Sequence, residues 1–424
     1  MAQVDRLDRE RVTYVGEEES AVGTRASSMK RIHLVQGQGD IGAALTVDMV
    51  PINDDRVIRF DNPQHLHGLK GGAWGAPQFL LKGVKSADRL GAGDTAVELS
   101  QHILLAHGIG RKSAGIGCTV GTGSTRTELV VDQHTDLLVG QIIFVEISAG
   151  VYEAATITAF ADSTHLTLRE GLTTAPTNGL AIRGAYNFVP AETRTSTLSV
   201  EQKLTAGSGY EWRVLGAFGS LAFAFPDAFG KEIPVTLTGV GCHTWQGPTT
   251  LTSPSFGTST PADDDMGSPF LWKPKLYLDT TITRQTDSPY RVERCAFEFM
   301  SAPDPIPDGT ADTGVKGFLD TAGRDGGVFA RVTLTIRADT GEDTIFDADT
   351  IRSGLLTVDN ADGSILALAF GRASLAAKPQ KVTLGSGRTG YTLVLNLLRD
   401  TLSAVGSGAD ELDLARAPFR LAVG

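Results

Sequence analysis

His65 and His67 form an H-x-H pair inside a glycine-rich stretch, Asn62 to Pro77. Paired imidazoles can ligate zinc, but a zinc site needs three or four protein ligands, and no third stands nearby. Gly37-Gln38-Gly39-Asp40-Ile41-Gly42 matches G-x-G-x-x-G after a strand-like run, Arg31 to Gln36. That pattern holds a dinucleotide only where a helix opens at its last glycine. Here Thr46, Asp48 and Pro51 follow at strand or turn spacing, so the glycines read as a hairpin turn. Gly108-Ile109-Gly110-Arg111-Lys112-Ser113 imitates a phosphate loop without its first glycine. Asp263-Asp264-Asp265 lacks the alternate spacing of a calcium loop and reads as a solvated tip. Asp304, Asp308, Asp312 and Asp320 fall in a loop, and no carboxylate pair stands out as acid and base. No G-x-S-x-G elbow, Walker loop or H-E-x-x-H occurs. The expectation is a chain that is not an enzyme, with no catalytic, cofactor-binding or metal residue.

Composition narrows the class. Cys118, Cys242 and Cys295 are odd in number and widely spaced, as reduced thiols of a cytosol-made protein would be. Net charge is −11, which argues against a surface that grips DNA or membrane. An acidic wall repels phosphate and suits a surface past which DNA slides. No apolar run is long enough to span a bilayer, and the charged start, MAQVDRLDRERVTYVGEEES, has no apolar core for a signal peptide. Many short alternating runs and 49 glycines favour a mainly β chain with one or two helices.

The elements then follow in order. Residues 1–28 read as a flexible or partner-ordered arm. Thr95-x-x-Glu98 reads as a capping box opening a helix to His107, with Gly108 as its stop. Leu99, Ile103 and Ala106 form its apolar stripe, and His102 and His107 fall on its surface. Residues 111–190 contain short strands with polar turns about every eight to twelve residues, which reads as a small inserted SH3-like β-barrel decorating the outside. Val328 to Arg337 alternates cleanly, and a second helix is expected over Thr344 to Arg352. Hairpins follow around Asp362-Gly363 and Gly385-Ser386-Gly387.

The stretch from Thr195 to Trp245 is the most regular. It reads as four strands: an alternating run to Leu204, a glycine turn, a return from Tyr210 to Leu215, then Ser220 to Phe225 and Ile233 to Thr238. Leu221, Phe223 and Phe225 oppose Ser220, Ala222 and Ala224, giving one apolar and one small, polar face. The order of alternating strand, glycine turn, R-x-L-G-A-x-G-S (Arg213 to Ser220), alternating strand and P-V-T-L-T-G (Pro234 to Gly239) resembles the sheet of major tail tube proteins of long-tailed (siphovirus-like) bacteriophages.

The resemblance covers roughly residues 30–110 and 190–424. The order strand, helix, hairpin, hairpin occurs twice, with Asp94-Thr95 and Asp343-Thr344 opening the two helices. The implied fold is mainly β: two tandem tail-tube-type β-sandwich or half-barrel units, each with one helix, plus the inserted barrel. The first unit would comprise 29–110 and 191–268, the insertion 111–190, and the second unit 269–424. The implied function is structural: a virion protein that self-assembles into stacked rings, the conduit for DNA ejection. Its partners would be itself, a tape measure protein and tail terminator or tip proteins. Trimeric pseudo-hexameric rings are favoured, with a hexamer as the alternative. DNA would pass without specific binding, no membrane would be involved, and assembly would occur in the host cytoplasm. The lumen-facing candidates are Ser199, Glu201, Ala222, Ala224, Thr236 and Thr238, joined by Arg331, Thr333 and Thr335 of the second unit. The alternative is a β-rich receptor- or glycan-binding virion protein, for which Trp74 and Trp245 are the aromatic candidates.

Overall fold

A computed structural model describes residues 11–19, 23–26, 29–32, 78–84, 98–132, 136–191, 197–204, 210–241, 244–250, 266–299, 303–307, 315–320, 330–337, 350–404 and 408–424. The chain is mainly β, with two helices among these residues.

The first elements are β1 (Arg11–Glu18), β2 (Met29–Arg31), β3 (Gln78–Leu80), β4 (Lys82–Val84), α1 (Ser100–Ile109) and β5 (Arg111–Ala114). Part of the expected arm is therefore a strand, and residues 1–10 lie outside the described residues. The helix begins later than its expected capping box. Leu99 is the N-cap, and its N–H donates to Nδ1 of His102 at 3.2 Å. Glu98 sits ahead of the helix because Lys30 (2.7 Å) and Lys112 both claim its carboxylate. Thr95 lies outside the described residues. Every residue of α1 is buried, so His102 and His107 are core residues and not surface ones. An amphipathic stripe fails here because the helix has neighbours all round. Gly108 abuts Leu221, and the His102 ring lies 4.8 Å from that of Tyr186 and 5.6 Å from that of Phe188.

The inserted segment folds as a closed barrel. Its strands are β6 (Cys118–Thr119), β7 (Glu128–Val130), β8 (Ile142–Ser148), β9 (Val151–Phe160), β10 (His165–Leu168) and β11 (Ala181–Arg183). They pair in the order β6-β11-β8-β9-β10-β7, and a Val120–Val131 bridge joins the two ends. The barrel has its own core, including Leu129, Ile143, Val145, Ile157 and Leu166. The barrel starts and ends inside the expected 111–190. β5 pairs with β12 (Tyr186–Val189), so both belong to the main sheet. At the neck, Gly115 and Gly184 cross so closely that a Cβ on Gly184 would lie 2.2 Å from the Gly115 carbonyl oxygen.

After the barrel come β13 (Leu198–Leu204), β14 (Tyr210–Phe223), β15 (Pro234–Gly241), β16 (Thr244–Thr250) and β17 (Met266–Pro269). The two strands expected over 210–225 are one long strand, β14, irregular at Gly216, whose φ is 63°. Only glycine takes that conformation freely, and it shifts the alternation mid-strand. β13 and β1 continue one edge of the sheet. On the other side, β16 pairs with the first part of β14 and β15 with the last, each with one register shift.

The second half holds β18 (Pro274–Asp279), β19 (Tyr290–Phe299), β20 (Pro303–Pro307), β21 (Val315–Asp320), β22 (Ala330–Arg337), β23 (Arg352–Asp359), β24 (Ile365–Leu375), β25 (Gln380–Thr383), β26 (Thr389–Leu397), α2 (Ala409–Arg416) and β27 (Arg420–Val423). β20 and β21 pair inside the expected acidic loop. The expected helix over 344–352 lies mostly outside the described residues, and Arg352 opens β23. Among the described residues of this half, one helix, α2, comes after both hairpins. Pairings run β19-β22-β26-β24-β23-β18 and return to β19, curling the sheet round its core.

Strands β23, β24 and β27 are apolar on both faces. One face meets the main core through Leu356, Leu366, Leu368 and Leu421. The other meets the barrel: Leu355, Ile365, Ala367, Ala369 and Ala422 pack with Ile142, Phe144 and Ala154. The insertion is thus a layer packed against the main sheet. Small alanines at this contact let the barrel wall approach closely.

Candidate functional site

One polar face links the two halves. β14 meets β19 at the Cα pair Phe223–Phe297, where the rings pack edge to face at 5.6 Å. Both phenylalanines are buried, so their neighbours in sequence point the other way. Ala222, Ala224, Ala296 and Glu298 are accordingly exposed. The face continues through β15 to β3 on one side, where Gln78 Nε2 donates to Thr236 Oγ1 at 3.2 Å. On the other side it continues through β22 and β26 to β25. Arg331, Thr333 and Thr335 alternate with buried Ala330, Val332, Leu334 and Ile336, as the sequence pattern requires.

The expected lumen residues divide on this map. Ala222 and Ala224 are open and Thr236 is half-buried. Thr238 lies on β15 with its Cα opposite that of Ser220; its side chain is outside the described ones. Arg331, Thr333 and Thr335 join the same face across the seam. Ser199 and Glu201 do not, because Glu19, Arg25 and Ala26 cover them. Arg25 donates to Glu201 at 2.5 and 3.1 Å, and the Ala26 N–H donates to Ser199 Oγ at 2.9 Å. Glu19 is buried and accepts from Thr197 Oγ1 (2.7 Å), Ser199 Oγ (2.8 Å) and the N–H groups of Gly23 and Gly216. The charged N-terminus gave no sequence signal for this clasp, since its acids and bases alternate without pattern.

Charge on the open face is mixed and not uniformly acidic. Arg337 pairs with Glu293, Arg294 lies 3.4 Å from Asp227, and Arg331 Nε donates to Asn396 Oδ1 at 3.2 Å. Thr335 and Thr392 hydroxyls meet at 3.3 Å. Carboxylates therefore stand beside Arg337 and Arg294, whereas Asn396 is neutral and orients Arg331 without offsetting its charge.

Of the residues first weighed for chemistry, Gly108 to Ser113 are described in full. Gly108 to Gly110 ends α1, with the Gly110 N–H donating to the Ala106 carbonyl at 2.8 Å. A helix C-terminus presents carbonyls, which repel phosphate. Burial pushes the Cys118 and Cys295 thiols up to about 12, leaving them protonated and unreactive. Among the described residues no group of three His, Cys, Asp or Glu could hold a metal ion, and no helix is long and apolar enough to cross a membrane. His65, His67, Gly37 to Gly42, Trp74, Cys242 and Asp263 to Asp265 lie outside the described residues, as does the side chain of Trp245. No protein-family model matches the chain, and no curated protein matches it either.

Proposed function

We propose that the chain is a structural, self-assembling protein: the major tail tube protein of a long-tailed bacteriophage, building stacked rings through which DNA is ejected. The observation that carries this reading is the continuous open face running from β3 to β25 across the Phe223–Phe297 seam. Small and hydroxylated side chains line much of it, and two of its arginines, Arg337 and Arg294, lie beside carboxylates. Such a wall offers a passing polyanion few places to bind. A sheet with two ends gains stability when another copy continues it, because an isolated end leaves backbone groups unpaired. Each chain would contribute sheet from both halves, which favours a trimeric ring over a hexameric one. Tape measure and tail terminator or tip proteins would be its other partners, and the site of action would be the virion tail.

Negative-stain microscopy of the purified chain tests the reading. Rings or tubes support it, and class averages give the symmetry. Persistent monomers that bind glycans would overturn it in favour of a receptor-binding virion protein.

A further inference from the structure

Residues 363–399 contain five basic side chains, Arg372, Lys378, Lys381, Arg388 and Arg399, and no acidic one. The remaining residues hold 33 basic and 49 acidic side chains, net −16. The fold places these five cations along the edge formed by β25 and the end of β24, and at both ends of β26. Arg372 and Arg399 meet where the Leu398 N–H donates to the Arg372 carbonyl at 2.8 Å. Lys378 precedes β25, Lys381 lies within it opposite Tyr391, and Arg388 closes the turn into β26, where the Leu384 N–H donates to its carbonyl at 2.7 Å. Lys378, Lys381 and Arg388 are exposed, and among the described residues none of them forms an ion pair.

Lysines on an edge strand can serve only to discourage strand pairing. Here the cations extend beyond β25 to both ends of β26, and they interrupt an otherwise acidic chain. Two copies of such a chain repel at long range wherever acidic surface meets acidic surface. Approach is favoured only where the sign inverts, and this edge is such a place. A strand-binding surface for nucleic acid would interleave aromatic rings for stacking; Tyr391 is the one aromatic residue of this segment besides buried Phe370, and it packs against the main core.

We propose that this basic edge is an assembly contact that docks acidic surface of a second copy of the chain. The inference rests on the self-assembly reading above and specifies where copies meet. The test uses the full-length protein and the triple variant K378E/K381E/R388E, with circular dichroism as a check on folding. Sedimentation velocity across protein concentration, at low and high NaCl, gives the concentration for half-assembly. The expected result is an increase of about tenfold or more in the variant at low salt, with the wild type weakening towards the variant as salt screens the contact. A folded variant that assembles like the wild type, with the same salt dependence, overturns the contact while leaving self-assembly standing. Normal assembly of a variant that has lost retention of labelled duplex DNA also overturns it, and marks the edge as a nucleic-acid surface. A wild-type chain that stays monomeric at every concentration removes the self-assembly reading and this contact with it.

Discussion

Arg169 of the inserted barrel and Arg420 of the last strand converge on one carboxylate oxygen of Asp400, at 2.7 and 2.8 Å. Arg420 is fully buried, and its remaining donors reach the carbonyls of Leu414 and Ala415 near the end of α2. A helix C-terminus favours a cation, so the arginine is held by a carboxylate and a dipole together. Replacing Asp400 with Asn leaves two guanidinium groups with one carboxylate too few. The expected loss is about 3–5 kcal/mol, read from urea denaturation.

The same group sets an acid limit. Burial pushes the Asp400 carboxyl up, but the Arg420 and Arg169 charges outweigh it and hold it below the ordinary carboxylate value of 3.8. A carboxyl depressed in the folded state contributes stability above its unfolded pKa and loses it as pH falls through the folded one. Wild-type stability should therefore fall as pH drops below about 4, and D400N should lack that part of the fall. Thermal melts from pH 7 to pH 2.5 decide it.

The barrel and the half-barrel should unfold together. Phe144 is fully buried in the layer between them, beside Gly424, Ala367 and Ala422. F144A should cost about 3–5 kcal/mol. Because the cavity lies between both bodies, fluorescence and far-ultraviolet dichroism should still report one transition. Two separated transitions would mean that the barrel is only tethered.

The N-terminal clasp is polar and should open on its own. E19A removes the acceptor for two hydroxyls and two backbone N–H groups. The expected cost is about 1–3 kcal/mol. Limited trypsin digestion should cut at Arg25 earlier than in the wild type, while the remainder resists.

Alternation made most strands legible. Val328 to Arg337 and the hairpins of β23 to β26 stand close to where their sequence pattern puts them. The exposed face of Ala222 and Ala224 was legible for the same reason, since period two fixes a face once register is fixed. Burial from two sides was not legible. α1 and β23 read as ordinary runs, and only the tertiary neighbours make every residue of α1 buried. The clasp over Ser199 and Glu201 was hidden too, because it joins residues about 180 positions apart in the chain. Gly216 read as the end of one strand, whereas positive φ lets one strand turn its faces over.

Ala222 offers the sharpest separation of wall from outer surface. It is exposed beside the seam, so A222W should change stability by no more than about 0.5 kcal/mol. If this face lines a channel, the variant should still assemble, because the substitution touches neither the clasp nor the basic edge. Its indoles would then project inward as a ring of extra density in a helical reconstruction. Phage carrying the variant should form intact particles that adsorb normally but eject DNA more slowly. The same density on the outside of the tube, with ejection unchanged, would place the face outward and leave the channel to be built from another one.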